Sequence, residues 1–227
     1  MKEYKKKINH NNAFCHLLVK IGKKEHMETL IKHGEVYMNT TQYFQTHTNP
    51  EIGDTFEGAL FVKNGQVSEY RVNIQYEKLF CLWHINDIKP IFEDIIYSSS
   101  YDEKNNQTTF TLDFRKLSGF TDDKDTYMVV IFNVKEFNRR FQDACKKNKV
   151  KFINNCIVSY YDQLSINPNR EITPFMKREK YKKQQEIRYL VIKEDNNPLK
   201  ISLGSLNDIA RMCNVNDECL KIVGTTK

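Results

Sequence analysis

No stretch of this 227-residue chain approaches the roughly 18 consecutive apolar residues of a membrane-crossing helix, which excludes that class of anchor. The opening decapeptide, Met1 to His10, is charged but has no apolar run behind it, so no secretory signal is expected and a cytoplasmic address is. Six cysteines (Cys15, Cys81, Cys145, Cys156, Cys213 and Cys219) include no C-x-x-C pair. That scatter points to reduced, partly buried thiols and argues against a disulfide frame or a zinc site. His10, His16, His26, His33, His47 and His84 show no H-E-x-x-H or other metal spacing. No G-x-S-x-G elbow marks a serine nucleophile, and no P-loop pattern marks a phosphate cradle. With 8 glycines and 5 prolines, none gathered into a linker, and with no internal repeat, nothing divides the chain into modules.

What is present suffices for a sizeable core: 40% of residues are hydrophobic, including 14 Phe and 12 Tyr. The formal charge of +6 permits a polyanionic partner. Much of it sits in short runs, Lys5 to Lys7, Lys23-Lys24, Lys146-Lys147 and the stretch from Lys177 to Lys183, and abundant Lys, Asn, Ile and Tyr point to a composition bias that weakens inference from charge. The expected organisation is a flexible basic arm over residues 1–12 and a single α+β domain over 13–227.

Ala13 to Ile21 is an apolar run suited to a buried strand. Met27, Leu30 and Ile31 then repeat at helical spacing, with Lys32 and His33 in the last turn and Gly34 as the stop. A short strand over Glu35 to Asn39 follows, then a turn or short helix to Phe44. Tyr127 to Val134 reads as a central strand. Lys135 to Lys149 reads as an amphipathic helix carrying Phe137, Phe141 and Cys145 on one face. Val150 to Tyr161 reads as β. Ser205 with Asp208 three residues on predicts a capped helix through Met212.

Four features carry chemical promise. In Glu186-Ile-Arg-Tyr-Leu-Val-Ile192, alternation predicts Ile187, Tyr189 and Val191 toward the core, with Gln184, Glu186 and Arg188 in a row on the opposite face. Such a row could stabilise a developing cation or hold a ribose hydroxyl; its bland counterpart is a solvated edge. Gly53-Asp54-Thr-Phe-Glu57-Gly58 brackets two carboxylates with glycines, so backbone could approach a ligand while Asp54 or Glu57 accepts its hydrogen bonds. His16 lies in the first apolar run. Tyr37, Tyr43 and Phe44 follow the first helix and could stack on a flat ring, although core or half-exposed packing is the commoner role of such aromatics.

Taken in order, these segments (the His16 strand, a helix ending at Gly34, Glu35-Val-Tyr37-Met, the Gly-Asp-x-Phe-Glu-Gly loop and Tyr181-x-x-Gln184-x-Glu186-x-Arg188) resemble a group of uncharacterised bacterial proteins. Those in turn look like distant relatives of the ADP-ribosyltransferase fold, which includes toxins of toxin–antitoxin and phage-defence systems. The resemblance implies a twisted, mostly antiparallel, split β-sandwich with flanking helices and a cleft for NAD as substrate. It implies Glu186 as the catalytic carboxylate and Gln184 as the residue orienting the acceptor. His16 would be the ribose holder, and Tyr37 or Tyr43 the stacking partner, with Asp54, Glu57 and Arg188 in the same cofactor site. The acceptor would be a nucleic acid or a host protein. No Ser-Thr-Ser-type strand is present, and Arg188 beside the carboxylate departs from the pattern. Two other readings stand beside it: a non-catalytic nucleotide- or nucleic-acid-binding module, and a Mg²⁺-dependent nuclease using Asp54, Glu57 and Glu186 with Lys182 or Lys183.

Overall fold

The computed structural model describes residues 17–50, 52–85, 96–104, 107–112, 125–214 and 220–225. The basic arm and His16 lie outside these residues. The first unit forms as the local sequence dictates. Strand β1 (Leu17–Lys23) runs into helix α1 (Lys24–His33), which buries Met27, Leu30 and Ile31. Gly34 ends the helix in the left-handed region, with φ of 59°, and a side chain there would bring Cβ within 2.0 Å of the Gly204 carbonyl. Strand β2 (Glu35–Thr40) and a short helix α2 (Thr41–Thr46) follow, the latter capped by the Thr40 side chain accepting the Tyr43 N–H.

The main sheet has eight strands. Strand β5 (Glu77–Ile85) is its axis, with β12 (Glu186–Ile192) paired antiparallel along one edge and β9 (Lys151–Ile157) beyond that. The other edge of β5 is shared. Its C-terminal end pairs with β1 through Val19↔Trp83, and its N-terminal end pairs with β2 through Asn39↔Leu79. Between them, at Phe80 to Leu82, neither strand continues the ladder. Strand β8 (Thr126–Ile131) and β14 (Ala210–Asn214) extend the sheet beyond β1, and β13 (Leu199–Ser202) extends it beyond β2.

Smaller pieces complete the described fold. They are the hairpin β3 (Ala59–Lys63) and β4 (Gln66–Tyr70), the parallel pair β10 (Ser159–Tyr161) and β11 (Met176–Arg178), and a three-stranded sheet of β6 (Ile96–Asp102), β7 (Gln107–Leu112) and β15 (Leu220–Thr225). The architecture is mixed α and β with mostly antiparallel strands and few helices. No described helix is long and apolar enough to cross a membrane.

One face of the main sheet is the core. Cross-strand partners share a face, so Ile187 with Leu82 and Tyr189 with Phe80 point together toward the helices. Helix α3 (Val134–Lys147) meets them with Phe137, Phe141, Ala144 and Cys145, all buried as the helical periodicity predicts. The rings of Phe80, Phe137, Phe141 and Tyr189 lie 4.7 to 6.5 Å apart, and each buried aromatic contributes about 1.5–3 kcal/mol by area alone. Asn133 caps this helix by accepting the Glu136 N–H at 3.1 Å.

Two expectations are corrected. The segment after Ser205 is not a helix: one turn at Leu206 to Ile209 leads directly into strand β14. Asp208 pairs with Arg140, and β8 offers a free edge that five residues of β14 fill. Tertiary pairing thereby outweighs the local capping signal. The β run from Val150 to Tyr161 also breaks at Val158, where the chain leaves β12 for β11.

Candidate functional site

The opposite face of the sheet holds charge. Glu186 sits across from Trp83 and Arg188 across from Cys81, so these four side chains share the face away from the helices. Alternation along β12 therefore places Ile187, Tyr189 and Val191 inward and Glu186 and Arg188 on the other side, as the sequence predicts. The solvated-edge alternative does not hold, because Glu186 is 6% exposed and Arg188 1%.

Gln184 reaches the same place by another route. It ends a 3-10 helix (Glu179–Gln184), and Gln185 then adopts φ of 39° and ψ of 51°, a left-handed turn unusual for a residue with a side chain. That turn aims the chain into β12. It is held by the His84 N–H donating to the Gln185 carbonyl at 2.9 Å. The Glu186 N–H in turn donates to the Tyr160 hydroxyl at 3.0 Å.

The Gly53 to Gly58 loop is lashed to this late segment at three points. The Tyr181 hydroxyl donates to the Gly53 carbonyl at 2.9 Å, Arg178 pairs with Asp54, and Arg188 grips Glu57 with both terminal nitrogens. Gly53 is required for the approach, since a Cβ on it would lie 2.2 Å from the His47 carbonyl oxygen. The two motifs that stood out separately in the sequence are thus one physical unit.

Arg188 is the hub. Its Nε donates to Glu186 Oε1 at 2.6 Å, and its Nη1 donates to Glu57 Oε2 at 3.0 Å and to the Pro174 carbonyl at 2.7 Å. Lys177 then bridges Glu186 Oε2 at 3.2 Å and Gln184 Oε1 at 2.8 Å, with its amine 4.6 Å from the centre of the Tyr181 ring. Burial disfavours ionised Glu186, but the charges of Arg188 and Lys177 and the Arg188 hydrogen bond outweigh it, holding the carboxyl well below its usual range. The Cys81 thiol is pushed well above its ordinary value by burial and by the adjacent Glu186 charge, so it stays protonated and donates to that carboxylate.

Beside this cluster is a cavity of about 270 Å³. Val19, Ile21, Phe44, Ile52 and Trp83 give it apolar walls, and Lys20, Glu57, Cys81, Lys177, Gln184, Glu186 and Arg188 its polar lining. It lies beside the point where β1 parts from β5.

Among the sequence candidates, Gln184, Glu186, Glu57 and Arg188 therefore converge. Asp54 does not line the cavity; it is buried against Arg178 behind the wall and accepts the Phe56 N–H at 3.0 Å. Tyr37 and Tyr43 do not line it either. Tyr37 is exposed on β2, its ring 5.8 Å from the Lys200 amine, and Tyr43 is exposed on α2, edge-on to Phe44 and His47. Phe44, the next residue round the short helix, takes the inward position instead. His16 falls outside the described residues.

No protein family matches the chain, and no curated protein or solved structure matches it either.

Lys177, Trp83, Cys81 and Lys20 were not singled out from sequence. Lys177 belongs to a lysine-rich run from which no single residue stands out, yet it is 6% exposed. The missed signal was Tyr181, an aromatic inside that run, which shows that the segment has an inner side. The carboxylates do not suit a metal: Asp54, Glu57 and Glu186 each already engage a cation of the protein. Among the described residues no group of three potential ligands could hold one.

Proposed function

We propose that this chain is an ADP-ribosyltransferase-like protein that takes NAD as substrate and passes ADP-ribose to a nucleic-acid or protein acceptor. One observation carries the reading: a buried, ionised carboxylate, Glu186, stands at the head of β12 on the wall of a cavity that also presents Trp83 and Phe44. Positive charge develops on the anomeric carbon as nicotinamide departs, and a preplaced carboxylate stabilises it most where water is scarce. Trp83 and Phe44 supply apolar surface for a flat ring. Gln184, held at the same wall through Lys177, stands where the acceptor would be oriented. A cavity of about 270 Å³ suits one nucleoside half of a dinucleotide, so on this reading the other half extends beyond it.

The test is nicotinamide release from NAD in the presence of DNA, RNA or cell lysate. Glu186→Gln should lower release by roughly 100-fold, with the circular-dichroism spectrum unchanged. Wild-type protein that releases no nicotinamide with any of these acceptors defeats the proposal.

A second reading draws on a different observation. Both Glu186 oxygens are already engaged, one by Arg188 and one by Lys177, so the carboxylate meets a ligand only as a shared acceptor. That arrangement suits a non-catalytic module that binds a nucleotide or nucleic acid. A nucleotide that raises the melting temperature without being consumed selects this alternative.

A further inference from the structure

The cavity carries formal charge that its own side chains do not balance. Among the described residues that line it, three cations (Lys20, Lys177 and Arg188) face two carboxylates, Glu57 and Glu186. Arg188 is matched by both carboxylates, and Lys177 by Glu186. The positive charge left over is Lys20. No described carboxylate lies within ion-pair distance of its amine, which donates to the Cys81 carbonyl at 2.9 Å and lies 5.1 Å from the centre of the Phe80 ring.

This position follows from the interrupted sheet. Where β1 leaves β5, the Cys81 carbonyl has no strand to accept from, and the Lys20 side chain reaches across the gap to it. An ammonium group carries three donors, and the carbonyl uses one. Burial pushes the Lys20 amine below its ordinary pKa, opposed by the charge of Glu186. A half-buried cation held only by a carbonyl dipole and an aromatic face is stabilised further by an incoming anion.

The type of anion can be argued from the two kinds of cation present. The planar fork of Arg188 would suit a carboxylate, but Glu57 fills it. Lys20 offers a compact point charge with spare donors, which suits a phosphate oxygen. The apolar walls at Val19, Ile21, Phe44 and Trp83 leave room beside it for a ring and sugar.

We infer that Lys20 is an anion-recognition residue and that the cavity takes the phosphate ester of a nucleoside. The inference rests on the nucleotide reading above for the ring and sugar, but not for the anion.

Trp83 is the chain's single tryptophan and lines the cavity, so its fluorescence reports occupancy. The probes are nicotinamide mononucleotide against nicotinamide riboside, and AMP against adenosine. In wild type the phosphate-bearing member of at least one pair should bind about tenfold more tightly. Lys20→Met and Lys20→Gln should shrink that preference to about twofold while leaving nucleoside affinity unchanged, and Lys20→Arg should keep most of it. Because a variant could fail to fold, a mutation-free arm is included. The nucleotide of the preferred pair should protect Lys20 from reductive methylation in wild type, read by peptide mass, more than its nucleoside does. Persistence of the preference in Lys20→Met and Lys20→Gln, its absence in wild type, or methylation indifferent to nucleotide would each overturn the assignment. NAD turnover measured in parallel separates the two proposals. A lost preference with no turnover keeps Lys20 and sinks the transferase, whereas turnover with an undiminished preference does the reverse.

Discussion

Arg188→Met removes the one group that touches both buried carboxylates while keeping an unbranched apolar stem in place. Glu57 then has no cation among the described residues, and Glu186 keeps only Lys177. Breaking a buried ion pair by deleting one partner costs about 3–5 kcal/mol, a large share of the roughly 5–15 kcal/mol by which domains are stable. For a chain of this size that corresponds to a melting point lower by roughly 6–20 °C. Urea unfolding followed by Trp83 fluorescence measures it directly. The pH dependence identifies the cause. In wild type the folded-state pKa of Glu186 is depressed, so its contribution is complete above the ordinary carboxylate range and is lost as pH falls through and below it. In the variant Glu186 has lost the Arg188 charge and hydrogen bond that depress its pKa, so less of that contribution remains to be lost in acid. The difference between the two proteins should therefore narrow as pH falls below the ordinary carboxylate range, roughly pH 4 and lower, and adding Glu57→Gln to Arg188→Met should restore about 1–3 kcal/mol. A loss below about 1 kcal/mol, or a gap indifferent to pH, would show that these groups behave as a surface pair.

Gly53→Ala should destabilise by about 2–3 kcal/mol, because the new Cβ would have to push the His47 carbonyl away and loosen the Tyr181 and Asp54 ties; a melting curve within a degree of wild type refutes this. Among the described thiols, Cys156 is exposed whereas Cys81 and Cys145 are deprotonated with difficulty, the latter pushed up to about 11 by burial. Under native conditions iodoacetamide should label Cys156 well before Cys81 and Cys145, which wait until the protein unfolds; peptide mapping that finds Cys81 labelled as fast as Cys156 contradicts the burial argument.

The elements legible from sequence are those that local forces decide. The β1–α1–β2 opening follows from a helical stripe and a glycine stop, and the face of α3 from Phe137, Phe141 and Cys145 four apart. Alternation in β12 was equally readable, because one register serves both faces. What stayed hidden is what distant partners decide. The turn at Ser205 carries a capping signal, yet the open edge of β8 takes the following residues. Lys177 looks like any surface lysine until Glu186 and Gln184 are seen to claim it. Tyr43 and Phe44 are adjacent aromatics, and only the docking of α2 decides that Phe44 faces the hollow.

The three ties between the Gly53 to Gly58 loop and the late segment join residues 124 to 131 positions apart. During synthesis that early loop must therefore wait, its two acids still hydrated, until the stretch around Arg178 to Arg188 has left the ribosome. Closing so long a span is among the slowest contacts a chain makes. The crevice is thus assembled late, and nascent protein passes most of its production time without it.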